Sequence, residues 1–122
     1  MILFYKQNLG KLGENAAAKF LKKKKYKILH RNYENYYGEI DIVAKDKEYL
    51  VFVEVKTRTG CDYGYASEAV DKRKQEKLYI LAQTYMGNTY NSSVRFDIVE
   101  VYVDATTRKI KKINHIENAF GY

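Results

Sequence analysis

The sequence predicts an α/β protein, a mixed central sheet flanked by helices, and three observations predict it. Two stretches, one near the start and one in the middle of the chain, carry apolar residues at three- and four-residue steps. Around them lie runs with the alternation of strands, rich in Val, Ile, Tyr and Phe. No proline, repeat or low-complexity linker interrupts the order α-β-β-β-α-β-β, and strands interspersed with helices build layered α/β architectures.

The first helix is expected over residues 8–25, where Leu9, Leu12, Ala16, Ala17, Phe20 and Leu21 form the apolar stripe. Asn8 is its candidate N-cap. The lysine run at 22–25 suits the negative end of the helix dipole. Gly10 and Gly13 weaken the opening turns, so a later start is anticipated. "YKILHRNY", residues 26–33, is a short strand, and a polar, aromatic turn follows through Asn35, Tyr36, Tyr37 and Gly38. Residues 38–58, "GEIDIVAKDKEYLVFVEVKTR", read as a hairpin.

The loop "TGCDYGYA" then leads to Ser67, the expected cap of a second helix over 68–86. Its inward stripe is Val70, Leu78, Leu81, Ala82 and Tyr85; Lys72, Arg73, Lys74 and Lys77 load its polar sides. Gly87 and Asn88 end it. In the strand at 93–104 the apolar phase moves from Val94, Phe96 and Ile98 to Val99, Val101 and Val103. That change calls for a bulge or for burial on both faces. A last strand, 109–116, is expected to end in a loose tail.

Composition bounds the rest. A chain of 122 residues has material for one core, and 46% hydrophobic residues, with thirteen Tyr and five Phe, exclude a disordered tail protein. No apolar run approaches the roughly 18 residues that span a bilayer. The opening "MILFY" is too short for a signal-peptide core, so a cytoplasmic protein without membrane attachment is expected. Cys61 is the single cysteine, which excludes an internal disulfide and a cysteine-built zinc cage. The net charge of +7 favours polyanionic partners, nucleic acid first. Codon bias in an AT-rich genome is the competing source of so many lysines.

The hairpin carries the chemistry. With its turn at Asp46-Lys47, Asp41 faces Phe52 and Glu39 faces Glu54. Cross-strand partners share a face. One face is then Ile40, Ile42, Ala44, Tyr49, Val51, Val53 and Val55; the other carries Glu39, Asp41, Val43, Leu50, Phe52, Glu54, Lys56 and Arg58. A one-residue slip would bury Asp41 unpaired in the apolar layer, at a cost of several kcal/mol. The charges therefore collect at the open end. Two arrangements relieve their repulsion: ion pairs Glu54–Lys56 and Asp41–Arg58, or a hard divalent cation held by carboxylates and water. The residues alone leave both open.

An acid ending one strand, followed by Glu54-Val55-Lys56 in the next, resembles the signature of the PD-(D/E)xK nuclease superfamily, with Ile40 in place of the proline. The αβββαβ order resembles that superfamily's restriction-endonuclease-like core. "GENAAAKFL", "GEIDIVA", "FVEVKTR" and "YGYASEAV" together resemble the YraN family of small bacterial endonuclease-like proteins, over most of the chain from Gly10 to Val103. The resemblance implies metal-dependent hydrolysis of phosphodiester bonds in DNA rather than RNA, branched or single-stranded, in repair or recombination. Its alternative is a non-catalytic nucleic-acid-binding module that acts through a partner.

The same resemblance implies Asp41, Glu54 and the Val55 backbone carbonyl as ligands of Mg²⁺ or Mn²⁺, and Lys56 as the residue that orients or activates water. Glu14 would complete the metal site from the first helix, and Glu39 would be an outer or second-metal ligand. At roughly 100° per residue, Glu14 falls at the border of the apolar stripe beside Ala17 and Leu21; its competing reading is an ordinary exposed glutamate. Arg58 and Lys74 are candidate phosphate contacts. Gln75 joins them, since Gln75 and Tyr79 resemble the Gln-x-x-x-Tyr pattern of RecB-like nucleases. A homodimer is compatible with this picture. His30 and His115 are expected to pack or hydrogen-bond, and Cys61 has no assigned role.

Overall fold

The computed structural model describes residues 2–59, 70–87 and 93–121, with side chains from Leu9 onward in the first segment. The elements are α1 (Ile2–Lys23), β1 (Lys27–Asn35), β2 (Gly38–Asp46), β3 (Tyr49–Thr59), α2 (Lys72–Met86), β4 (Ser93–Val103) and β5 (Ile110–Phe120). They form one five-stranded sheet in the order β1-β2-β3-β4-β5. All neighbours are antiparallel except β3 and β4, which are parallel. Parallel neighbours need a crossover, and α2 lies in that connection. This mixed α/β arrangement is compatible with a restriction-endonuclease-like core.

Both faces of the sheet are covered. On one, Ala17, Ala18 and Leu21 of α1 pack over Ile42, Ala44, Val51, Val53, Val99, Val101 and Val103. On the other, Leu78, Leu81 and Ala82 of α2 cover Val43, Leu50, Phe52, Phe96 and Ile98. The phase change in β4 is thus two-sided burial: every residue from Phe96 to Val103 is buried.

Several boundaries move for tertiary reasons. α1 starts at Ile2, so Asn8 lies inside the helix and is not its cap. Gly13 marks a close crossing instead of a weak turn: a Cβ there would collide with the Thr57 hydroxyl of β3. Packing outweighs propensity at this point. α2 starts at Lys72, capped by Asp71, whose carboxylate accepts from the Lys74 N–H at 2.9 Å. Val70 precedes the helix yet is buried beside it; Ser67 and Asn88 lie outside the described residues. Gly87, at φ 58°, closes α2. The expected loose tail is strand to Phe120, whose ring stacks on Phe96 at 5.2 Å.

The hairpin register also differs. Asp46 pairs with Tyr49, so the turn is Lys47-Glu48, with Lys47 at φ 55°. Asp46 is held in the strand because its carboxylate bonds Arg95 of β4 at 3.0 Å, which overrides its preference for a turn. Ile42 faces Val53, and one step further sets Asp41 level with Glu54 instead of Phe52. Glu39 does not face Glu54; it pairs with Glu34 of β1. Face alternation holds from Ile42 to Val53 but breaks at Asp41: Ile40 joins the α2-side cluster with Tyr33. On β1 the residue between Arg31 and Tyr33 is Asn32, at φ 53°, where the neighbouring strand turns over with it. Among the described residues no helix is long and apolar enough to cross a membrane.

Candidate active site at the parting of two strands

The site follows from where pairing stops. β2 and β3 are paired from Asp46–Tyr49 to Ile42–Val53. Beyond that point β2 continues beside β1 to Gly38, while β3 continues beside β4 to Thr59. The strands part, and the backbone of β3 at the gap needs new partners. Asp41 provides one: its Oδ2 accepts the Val55 N–H at 2.7 Å. The N–H and C=O of one strand residue point to the same side, so the Val55 carbonyl faces the gap as well.

Glu54 reaches the same place. It is 8% exposed, and its carboxyl is near enough for its charge to act on Asp41. Burial, and then the Glu54 charge, push the Asp41 carboxyl up to about 7, although the Val55 N–H and Lys74 favour its ionised form. Lys74 Nζ stands 3.3 Å from Glu54 Oε2, yet that oxygen accepts no aligned hydrogen bond. The contact is coulombic more than directional. Burial lowers the Lys56 ammonium, and the charge of the nearby Lys74 ammonium lowers it further. Two carboxyls and two ammoniums are therefore packed together at the gap.

Both ion pairs that the hairpin offers, one of the two arrangements left open by the sequence, are replaced. Glu54 pairs with Lys74 from α2, and Arg58 Nε lies 3.9 Å from Glu100 Oε2 on β4. Lys74 wins because α2 lays its first turn over this face; Arg58 is drawn toward the neighbouring parallel strand. Gln75 is tied to the start of α2, where its Nε2 donates to the Val70 carbonyl at 2.9 Å. Tyr79 donates to the Gly121 carbonyl and packs edge-on against Phe96, which gives it a packing role.

Acids flank the gap on both sides. Glu14 shares a groove of about 380 Å³ with Leu9, Gly10, Val55 and Lys56. Burial raises its carboxyl, the Asp41 charge raises it again, and Arg31 and Asn32 pull the other way. On the α2 side, Glu39, Glu54, Lys74, Lys77 and Tyr37 line a pocket of about 180 Å³.

The donor set suits one kind of ion. Among the described residues no three His, Cys, Asp or Glu side chains gather as a ready-made ligand set. What is present is a carboxyl pair with one buried oxygen lacking a hydrogen bond, beside a backbone carbonyl. One or two carboxylates completed by water is the preference of Mg²⁺ and Mn²⁺, not of zinc.

Two polar features escape sequence reading. Glu100 is 3% exposed, and its Oε1 accepts from Asn114 at 3.0 Å while Oε2 faces Arg58. On the α1 side of the sheet, level with Val53 of β3, Asp97 is wholly buried. It takes Arg95 Nε at 2.9 Å, His115 Nε2 at 2.7 Å and the Asn118 N–H at 3.0 Å. Burial alone would raise Asp97, but these bonds from His115, Arg95 and Asn118 hold it below its ordinary value. Arg95 also reaches the Tyr26 hydroxyl at 2.6 Å. The signal for both was an acid inside an apolar strand run, "RFDIVEVYV". His115 is a hydrogen-bonding histidine, as expected.

Fold and gap together define a mixed α/β domain with a charged cleft where two strands part. The uncharacterised protein family UPF0102 matches residues 13–101, and the chain belongs to that family, the YraN-like one its motifs resemble. A UPF0102 protein of Caldanaerobacter subterraneus is 48% identical over 117 residues, covering 94% of this chain and 96% of its own. One of Acetivibrio thermocellus is 47% identical over 120 residues, 94% of this chain and 92% of its own. One of Clostridioides difficile is 42% identical over 113 residues, 91% and 95% respectively. The names of these relatives state no activity.

Proposed function

We propose that the protein is a metal-dependent phosphodiesterase of the PD-(D/E)xK type that acts in the cytoplasm on DNA, branched or single-stranded, in repair or recombination. The observation that carries this reading is the Asp41–Glu54 carboxyl pair at the strand parting, with Lys56 two residues further along β3. A structural ion pair does not call for two carboxyls, one half-buried and one buried, to converge on the same strand gap; a cation site does.

Asp41, Glu54 and the Val55 carbonyl would hold Mg²⁺ or Mn²⁺, with Glu14 on the α1 side and Glu39 on the α2 side as outer ligands. When bound, the ion offsets phosphate charge and makes water a better nucleophile. Lys56, with its hold on the proton weakened by burial, orients the attacking water and faces the charge that grows on phosphate. Arg73 and Lys77 on the outer face of α2, together with Arg58, meet neighbouring phosphates.

Tyr36 and Tyr37 favour a substrate with unpaired bases. They are 95% and 45% exposed, form an edge-on pair with centroids 5.3 Å apart, and sit in the turn between β1 and β2. Tyr37 lines the same pocket as Glu54 and Lys74. Exposed rings beside a phosphate site stack bases that have left the duplex.

The second reading, a binding module without chemistry, draws on the Lys74 ammonium lodged against Glu54. Incubating single-stranded, duplex and branched DNA with the protein in Mg²⁺ or Mn²⁺ separates the two. The hydrolase reading expects cleavage that falls by more than about 100-fold in Asp41→Asn and Lys56→Ala. Salt-sensitive binding without cleavage of any substrate would establish the module instead.

A further inference from the structure

Lys74 stands where an incoming cation would have to be. Its Nζ is 3.3 Å from the buried Glu54 oxygen that lacks an aligned hydrogen bond. It is also close enough to Lys56 and to Asp41 for its charge to act on both. A Mg²⁺ ion needs its oxygens at about 2.1 Å. Placing one beside Glu54 would crowd a dication against two ammoniums. One of them must leave.

Lys74 is the one free to do so. Its backbone is fixed at the first turn of α2 by the Asp71 cap, but its side chain is 41% exposed, a stem that reaches in from solvent. It borders two spaces at once. Inward it lines the pocket of Glu39 and Glu54; outward it lines an open cleft of about 530 Å³ with Asp71, Arg73 and Lys77. Rotation about its own torsions carries the ammonium from the acidic pocket to the basic face of the helix. On that face the Asp71 carboxylate is engaged as the helix cap beside Arg73 and Lys77, and a phosphate from solvent is the natural partner of the ammonium.

We propose that Lys74 is an exchangeable plug: it neutralises the Asp41–Glu54 pair in the metal-free protein and swings to a substrate phosphate when a divalent cation enters. Metal and polyanion then bind cooperatively, because each supplies what the other displaces, and the coupling is reciprocal. The proposal rests on the reading of Asp41 and Glu54 as metal ligands.

The test is Mn²⁺ titration by calorimetry of wild type, Lys74→Gln, Lys74→Arg and Asp41→Asn, each with and without a short phosphorothioate DNA oligonucleotide. Circular dichroism confirms that each variant is folded. Lys74→Gln should bind Mn²⁺ about tenfold more tightly than wild type in the absence of DNA, the effect of removing one nearby positive charge. The oligonucleotide should tighten Mn²⁺ binding several-fold in wild type and leave Lys74→Gln unchanged, with Lys74→Arg behaving as wild type. Binding by Lys74→Gln alone, with none by wild type, is the extreme form of the same result. Equal affinity of wild type and Lys74→Gln, with loss in Asp41→Asn, would overturn the plug and leave the metal site standing. Absence of saturable binding in both wild type and Lys74→Gln would overturn the metal site and the plug together.

Discussion

Replacing Asp41 by Asn should make the metal-free protein more stable at alkaline pH. The amide oxygen can still accept the Val55 N–H, while the charge pressed against Glu54 disappears. The Asp41 carboxyl is raised from 3.8 to about 7. Between those values the folded chain holds a proton that the unfolded chain has released, so stability falls as pH rises through the window and stays reduced above it. Three units at 1.36 kcal/mol each set an upper limit of about 4 kcal/mol. Relaxation of the partly open site should leave about 2 kcal/mol, or a rise in Tm of about 8 °C for a domain of this size. The assay is urea and thermal denaturation in a chelator, at pH 4 and pH 8. The two proteins should match at pH 4 and separate at pH 8, with Mn²⁺ closing the gap by stabilising wild type. A variant less stable at pH 8, or a difference that does not change with pH, would refute the reasoning.

Three further outcomes follow from the geometry. Asp97→Ala should cost about 3–5 kcal/mol in urea unfolding, because it strands Arg95 and His115 in a buried site. Since Asp97 is held below its ordinary value, wild type should lose its advantage as pH falls below 4. Gly13→Ala should destabilise by about 1–2 kcal/mol despite its better helix propensity, and Thr57→Ala should relieve part of that loss. Tyr36→Ala and Tyr37→Ala should weaken binding of single-stranded DNA by about 5–100-fold with no change for an abasic strand, measured by fluorescence anisotropy.

Much of this was legible because local pattern and tertiary demand agreed. Apolar spacing located α1 and α2, and the penalty on a buried carboxylate fixed which hairpin face carries the charges. Asp41, Glu54 and Lys56 are recognisable as neighbours for that reason, while Glu39 falls beside Glu34 of β1. The turn was misplaced because Arg95, far along the chain, holds Asp46 in the strand. Ile40 was assigned to the wrong face because alternation presumes a regular strand, and Asp41 sits where β2 changes phase. The partner of Glu54 could not be read from the hairpin, since Lys74 arrives from α2. Gln75 matches a sequence pattern, and its amide donates to the Val70 carbonyl ahead of α2, a contact the pattern does not reveal. β5 outran its expected end because Phe96 and Asp97 capture its last residues.

The central claim is that the parting of β2 and β3 creates a divalent-cation site. Anomalous scattering from crystals soaked in Mn²⁺ tests it most directly. The expected result is a single strong peak within about 2.0–2.3 Å of oxygens from Asp41, Glu54 and Val55, with the Lys74 ammonium displaced toward Arg73 and Lys77. A peak elsewhere, or none at saturating Mn²⁺, would contradict it, whereas Lys74 still seated against Glu54 beside a bound ion would overturn the plug alone.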